Sequence, residues 1–224
     1  DLGYDGDITY GGTHIYRIQP EFFEQQIFYF KRDFTLLGGS IYDIFEFAVE
    51  NSSKEKIHEA LKEVGAYEYF NGLKQGLDTP LADVQSRIPY NIKLRVQLAI
   101  LKLRNTPIVL VEDFSDALRA FYVDEIISLL KRFTVGKTVL IVSNELEILQ
   151  SADKIVLIDE AGHFDSVGNL GTLQQISPYY EEILQKAKLK AELDQVTKKL
   201  VVNKDAFTVE NDIILSLGNI IDFT

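Results

Sequence analysis

No cysteine occurs in the 224 residues, so neither a disulfide framework nor a thiolate metal site can be built. That absence fits a reducing compartment. Methionine is missing as well and the chain opens on Asp1, so translation does not start there and a processed chain or a fragment is expected. No apolar run approaches the roughly 18 to 20 residues that span a bilayer, and no charged-then-apolar leader opens the sequence. The text itself therefore predicts no segment that crosses a membrane. Basic residues do not cluster, and a formal charge of -11 repels phosphate backbones, so nucleic acid is not expected as the main ligand. What remains is ordinary for one globular domain: 46% hydrophobic and 25% charged residues, enough to bury a core.

Hydrophobic spacing divides the chain into recognisable pieces. "GDITYGGTHIYRI", Gly6 to Ile18, alternates around Gly11-Gly12 as a hairpin or two edge strands do, and "IFYF", Ile27 to Phe30, reads as a short buried strand. From Ser40 to about Leu73 the spacing is helical: Ile57, Ala60, Leu61 and Val64 share one face behind "NSSKE", a capped start. A second helix follows Pro89, with Ile92, Val96, Ala99, Ile100 and Leu103 on its apolar face while Lys93, Arg95, Gln97 and Lys102 mostly fall elsewhere. Then come the strand "IVLV", a helix carrying Val123, Ile126, Ile127, Leu130 and Phe133, the strand "TVLIVS" and the strand "DKIVLID", turned back by "EAGHF". Strands apolar on both faces alternating with amphipathic helices predict an α/β fold, a parallel sheet covered on two sides. A charged helix over Pro178 to Lys199 is expected to be solvated on most sides, and the strand-like pieces after Asn203 have no assigned role.

The strand "IVLV" runs straight into Glu112 and Asp113. Two acids at the carboxyl edge of a parallel strand have a bland explanation, the polar end of the strand, and a sharp one, a metal and catalytic pair. Their neighbours bear on the choice. "SRIPYNIKLRVQLAILKLRNTP" lies one helix upstream, and after "SDAL" and a further helix come "GKTVLIVSNEL" and "ADKIVLIDEAGHFDSVG". That order resembles the nucleotide-binding domain of ATP-binding-cassette (ABC) transporters, exporter type, whose run is a signature loop and helix, a Walker B strand, a D-loop, a switch strand and a closing hairpin. "GDITYGG" is similar to the strand after the family's phosphate-loop helix, "IFYFKRDFTLLGGSIYDIF" to its Q-loop region, and "LKQGLDTPLADVQSRI" to the approach to its signature. The resemblance covers Gly6 to about Leu184 in unbroken order, and several motifs in register carry more weight than any single one.

The resemblance implies a P-loop NTPase-like fold with a partial nucleotide-binding domain over 1–177, a helical subdomain inserted at about 40–104, and a C-terminal helical extension over 178–224. It also implies ATP and Mg as cofactors, a transmembrane domain and a second nucleotide-binding domain as partners, and a place on the cytoplasmic side of a membrane, peripheral or fused to a membrane domain. Position by position the sequence departs from the family. No phosphate loop G-x-x-x-x-G-K-[ST] is present; "GKT" at Gly136 to Thr138 has Lys131 where the first glycine belongs and enters a strand instead of leaving one. The true loop is expected before Asp1.

At the Walker B position the family has Asp, for magnesium-bound water, then Glu, for the attacking water. Here Glu112 and Asp113 stand in reversed order. Glu112 is longer and can still reach magnesium through water, since magnesium retains several waters. Asp113, at the catalytic Glu position, is a methylene short, a misplacement worth about 10²-fold in rate. The signature Ser-Gly-Gly-Gln, whose bare helix-terminal amides grip phosphate, becomes Pro89, Tyr90, Asn91 and Ile92. Proline lacks an amide donor and tyrosine blocks the approach that glycine allows, so a helix begun by proline is the simpler role. The Q-loop glutamine aligns with Arg32, which can pair with an anion but cannot act as a neutral ligand. The switch histidine aligns with Asn144, which lacks a titratable proton near neutrality, and the D-loop's "SALD" becomes "DALR", Asp116 to Arg119, with its last charge reversed.

His14, His58 and His163 have no ligand spacing and read as structural or solvated. The aromatics of "PEFFEQQIFYF" read as core, and the charges from Glu181 to Lys199 as a solvated helix face, with a partner-binding helix as the lesser reading. Three functions stay open on these residues: a degenerate ABC domain that works with a partner, an active ATPase with unusual residues, and a non-enzymatic interaction module on the same fold. The chain alone is not expected to hydrolyse ATP. In the family the substrate is chosen by membrane domains, which this sequence does not include.

Overall fold

A computed structural model describes residues 6–36, 38–115, 118, 120–143, 145–158 and 161–202. Asn144, Asp116, Arg119 and the pieces after Asn203 lie outside the described residues. The chain forms two compact units, Asp1–Ser143 and Asn144–Thr224.

The first unit opens with β1 (Thr9–Tyr10) and β2 (Thr13–His14), an antiparallel hairpin in the register Thr9 to His14. Its turn residues Gly11 and Gly12 both have positive φ, 56° and 79°, as a two-residue hairpin turn with the right twist requires. Helix α1 (Pro20–Gln26) begins on proline and runs directly into β3 (Ile27–Phe30). A parallel sheet in the order β3, β4 (Ile108–Val111), β5 (Thr138–Ile141) follows, with Phe30 opposite Val111 and Val111 opposite Ile141. The α/β reading of the sequence is thus correct.

Between β3 and β4 the chain builds the expected helical region. α2 (Ile41–Ala48) starts on a capping box: Ser40 Oγ accepts from the Asp43 amide while the Asp43 carboxylate accepts from the Ser40 amide at 2.6 Å. α3 (Lys54–Glu63) is capped by Ser53, as "NSSKE" suggests, and buries Ile57, Ala60 and Leu61. α4 (Tyr67–Asn71) buries Phe70, and three 3₁₀ turns lead to α5 (Tyr90–Arg104). Asn105, left-handed at φ 49°, ends α5 two residues before Pro107. α6 (Ala120–Phe133) then connects β4 to β5 and buries Val123, Ile126, Ile127 and Leu130 of the face its spacing predicts, while Phe133 at its end is half-buried.

Two expectations for this unit need correction. α5 is not amphipathic in its middle: Leu94, Val96, Leu98, Ala99 and Leu101 are fully buried and Gln97 is buried with them, because α2, α3, α6 and β3 all pack around this helix. Gln97, placed off the apolar face by its spacing, lies inside the core at 1% exposure. Nor is β5 covered on both faces, despite its apolar sequence. Val139, Leu140 and, just beyond, Val142 are 38, 64 and 68% exposed.

The second unit holds α7 (Leu146–Ser151), β6 (Ile155–Ile158), β7 (Phe164–Gly168), α8 (Leu170–Ile176) and α9 (Pro178–Val202). "DKIVLID" forms one arm of a hairpin, as its turning back predicts: β6 pairs antiparallel with β7 in a two-stranded sheet. Asn169 caps α8, its Oδ1 accepting from the Thr172 amide at 2.9 Å. Tyr180, Leu184 and Ala187 form a buried stripe on α9, and the first two close a core with Ile155, Leu157 and Leu173. Farther along, Leu189, Leu193 and Val196 are exposed. Lys190 on α9 reaches Glu145 at 2.7 Å. Among the described residues no helix is long and apolar enough to cross a membrane.

Candidate functional site

The site sits at the carboxyl end of the parallel sheet, where β3 and β4 finish side by side. Strand pairing continues one step past β4, since the Glu112 amide donates to Phe30 O at 3.0 Å. That bond sets Glu112 beside the residues that follow β3. Beneath it Phe30 and Phe114 meet edge to face, their ring centres 5.6 Å apart, both rings buried.

Glu112 faces its own chain. One carboxylate oxygen accepts from the Tyr29 hydroxyl, and the other accepts from the Arg32 amide at 2.7 Å. The Tyr29 hydrogen bond, then the Arg32 amide, hold the Glu112 carboxyl below its usual range, since both favour the charged form. The same hydrogen bond raises Tyr29 above the ordinary phenol value. Asp113 turns the other way, its Oδ1 accepting from the Ser115 amide at 2.9 Å and from the Ser115 hydroxyl at 2.8 Å.

The four residues expected at the signature, Pro89 to Ile92, stand at the start of α5. Pro89 is the N-cap residue and its carbonyl accepts from the Ile92 and Lys93 amides. Tyr90 lies across to the segment after β3 and donates its hydroxyl to Arg32 O at 2.9 Å. Burial pushes the Tyr90 phenol up to about 12, a shift that nearby Arg32 opposes only in part. Asn91 is half-buried, and Ile92 is buried in the core. Arg32 itself is exposed. The structure therefore joins Arg32, Tyr90 and Glu112 in one hydrogen-bonded group and leaves Asp113 on a separate turn.

Two residues beside that group are not legible as functional from the sequence. Tyr29 looks like one more aromatic of a buried strand, and its pairing with Glu112 spans 83 positions. Gln97 is the other. Its Oε1 accepts from the Lys31 amide at 2.9 Å and its Nε2 donates to the Lys31 carbonyl at 2.8 Å. The available signal is a single amide in an otherwise apolar stretch of α5.

A magnesium ion does not fit these residues well. Both Glu112 oxygens and one oxygen of Asp113 already accept hydrogen bonds from the protein, and the described residues contain no group of three or more His, Asp or Glu able to hold a metal ion. The histidines are apart: His14 Nδ1 lies 3.4 Å from Asp7, His58 is bonded to the Tyr42 hydroxyl at 2.6 Å, and His163 is on the exposed turn before β7.

Comparison with known proteins gives a consistent answer. The chain is 25% identical over 178 residues to the ATP-dependent lipid A-core flippase of Saccharophagus degradans, covering 80% of this chain and 30% of the relative. It is 25% identical over 179 residues to a putative export ATP-binding/permease protein of Rickettsia typhi, covering 80% and 31%. To P-glycoprotein 14 of Caenorhabditis elegans it is 23% identical over 187 residues, covering 84% and 14%. No family model matches. The chain thus spans less than a third of the length of these relatives.

Proposed function

We infer, taking as premise that the chain is a nucleotide-binding domain of the ABC transporter family, that it is a degenerate copy acting alongside a partner domain that carries the hydrolytic chemistry. The observation that supports this most directly is the state of Glu112. At the position where the family holds a metal-directed carboxylate, this carboxylate accepts from Tyr29 and Arg32 and has become part of the scaffold. Ile92 in the core and Pro89 at the helix start remove the phosphate-gripping features of the signature, which in the family faces the nucleotide held by the partner.

On this reading the chain lies on the cytoplasmic face, peripheral to a membrane domain or fused to one, and pairs with a second nucleotide-binding domain of the same or a different kind. ATP with magnesium, when bound by the pair, supplies the free energy of closure; residues of this chain hold the fold that closes. Helices within 40–104, entered through Arg32, carry that movement to the transmembrane partner. The relatives named as flippase and export permease motivate the transport reading.

The test is ATP binding and turnover, measured first on this chain and then on the full-length protein assembled with its partner. The isolated chain is expected to show no turnover, and the assembled protein to bind Mg-ATP saturably. Stoichiometric turnover by the isolated chain overturns the degenerate-copy reading. Absence of saturable binding in the assembly overturns the nucleotide reading and leaves an interaction module on the same fold.

A further inference from the structure

Lys31 and Arg32 are exposed, yet the four backbone polar groups of this pair are all bonded to side chains from elsewhere in the fold. Gln97 takes both groups of Lys31, at 2.9 and 2.8 Å. Glu112 accepts from the Arg32 amide at 2.7 Å, and Tyr90 donates to the Arg32 carbonyl at 2.9 Å. An exposed connection ordinarily satisfies its backbone with water. Here three side chains do so instead.

The geometry of the three holders makes the arrangement stiff. Tyr90 and Gln97 stand seven residues apart on α5, two helical turns, and so project from one side of that helix. Gln97 is nearly inaccessible to solvent, so a displaced Lys31 would leave its amide buried without partners. Burial keeps the Tyr90 phenol protonated as a donor, with its pKa pushed up to about 12. Glu112 is fixed in turn by Tyr29. α5 belongs to the helical region and Glu112 to the end of the sheet, so the segment between β3 and α2 is tied to both.

We propose that Gln97, Tyr90 and Glu112 form a latch that fixes the Lys31–Arg32 backbone, holding the link between the parallel sheet and the 40–104 helices in one position whether or not nucleotide is present. The three are positioning residues: they act on the backbone of the link and touch no reacting group. The latch makes sheet and helices move as one body, where an unlatched link would let them turn against each other. It rests on the fold alone and does not depend on ATP binding.

Residue-resolved amide hydrogen exchange on the purified chain tests it. The Lys31 and Arg32 amides are expected to exchange at least about 100-fold slower than an open loop, and addition of Mg-ATP should change neither by more than about twofold. Gln97→Ala should speed Lys31 by about tenfold or more, and Glu112→Ala should do the same for Arg32, with the amides in the middle of α5 unchanged. Tyr90→Phe, which removes one hydroxyl and keeps the ring, should speed both amides without altering the fold. Open-loop rates in the unmutated chain overturn the latch whatever the variants do. A shift of about tenfold on adding Mg-ATP overturns its independence of nucleotide. Failure of the full-length protein with its partner to bind ATP counts against the proposed function and leaves the latch standing.

Discussion

Asp113 folds back onto Ser115: one carboxylate oxygen accepts both the backbone N–H and the hydroxyl, at 2.9 and 2.8 Å. This is the local turn that Asp makes wherever a chain leaves a strand, and its stability needs no substrate. It gives this acid, which the resemblance would set at the family's catalytic position, a structural task.

Asp113→Asn retains the accepting oxygen. Stability should change by less than about 0.5 kcal/mol, whereas Asp113→Ala should lose about 1 kcal/mol in urea unfolding. In the full-length protein with its partner, turnover by Asp113→Asn is expected to stay within about twofold of the unmutated rate. A drop of 10²-fold or so would instead make Asp113 the working base.

Gln97→Leu replaces a buried amide with an apolar group of similar size and strips Lys31 of both its partners. The expected loss is about 2 kcal/mol, seen as a lower urea midpoint with an unchanged slope. Stability equal to the unmutated chain would mean that water satisfies Lys31 equally well.

Glu112 gives a pH signature with a definite sign. Its folded pKa is depressed, chiefly by the Tyr29 hydrogen bond, so its stabilisation is fully present above the unfolded carboxylate value and is lost as pH falls through the folded one. Tyr29 behaves in the opposite sense: its folded pKa is raised, so its stabilisation is present below the ordinary phenol value and lost as pH rises through the folded one. Carboxyl and ring NMR shifts followed across the pH range should place the Glu112 midpoint below the ordinary glutamate value and the Tyr29 midpoint above the ordinary phenol value. Tyr29→Phe should move the Glu112 midpoint back toward the usual range.

Among the described residues, Tyr180 carries a buried hydroxyl with no hydrogen-bond partner. Tyr180→Phe should therefore be neutral or stabilising by up to about 1 kcal/mol, while Tyr180→Ala, which empties the core beside Leu173 and Leu184, should cost about 3–5 kcal/mol. Thermal unfolding of the two variants settles the comparison. A destabilised Tyr180→Phe would point to an ordered water on the hydroxyl.

How far the sequence reaches can be judged from particular residues. Ser40 and Ser53 mark helix starts because capping is local chemistry, and the face of α6 is readable because one side of that helix meets the core. Gln97 is not readable: periodicity assumes one buried face, and α5 is enclosed by neighbours on several sides. β6 is readable as one arm of a hairpin because the sequence turns back after it, and it pairs antiparallel with β7. Glu112 is visible as an acid at a strand end, but Tyr29 and Arg32 reach it only after β3 and β4 align across some 80 intervening positions.

β5 has a practical consequence for handling this chain. Among the described residues its only strand neighbour is β4, and its free side carries no lysine, proline or bulge within Thr138–Ile141 to discourage another strand. With Val139, Leu140 and Val142 exposed, that margin is a template for intermolecular β-association. The net charge of -11 opposes such contact through mutual repulsion. Added salt, by screening that repulsion, should therefore turn a well-behaved preparation into a self-associating one, and a lysine at Leu140 should prevent it.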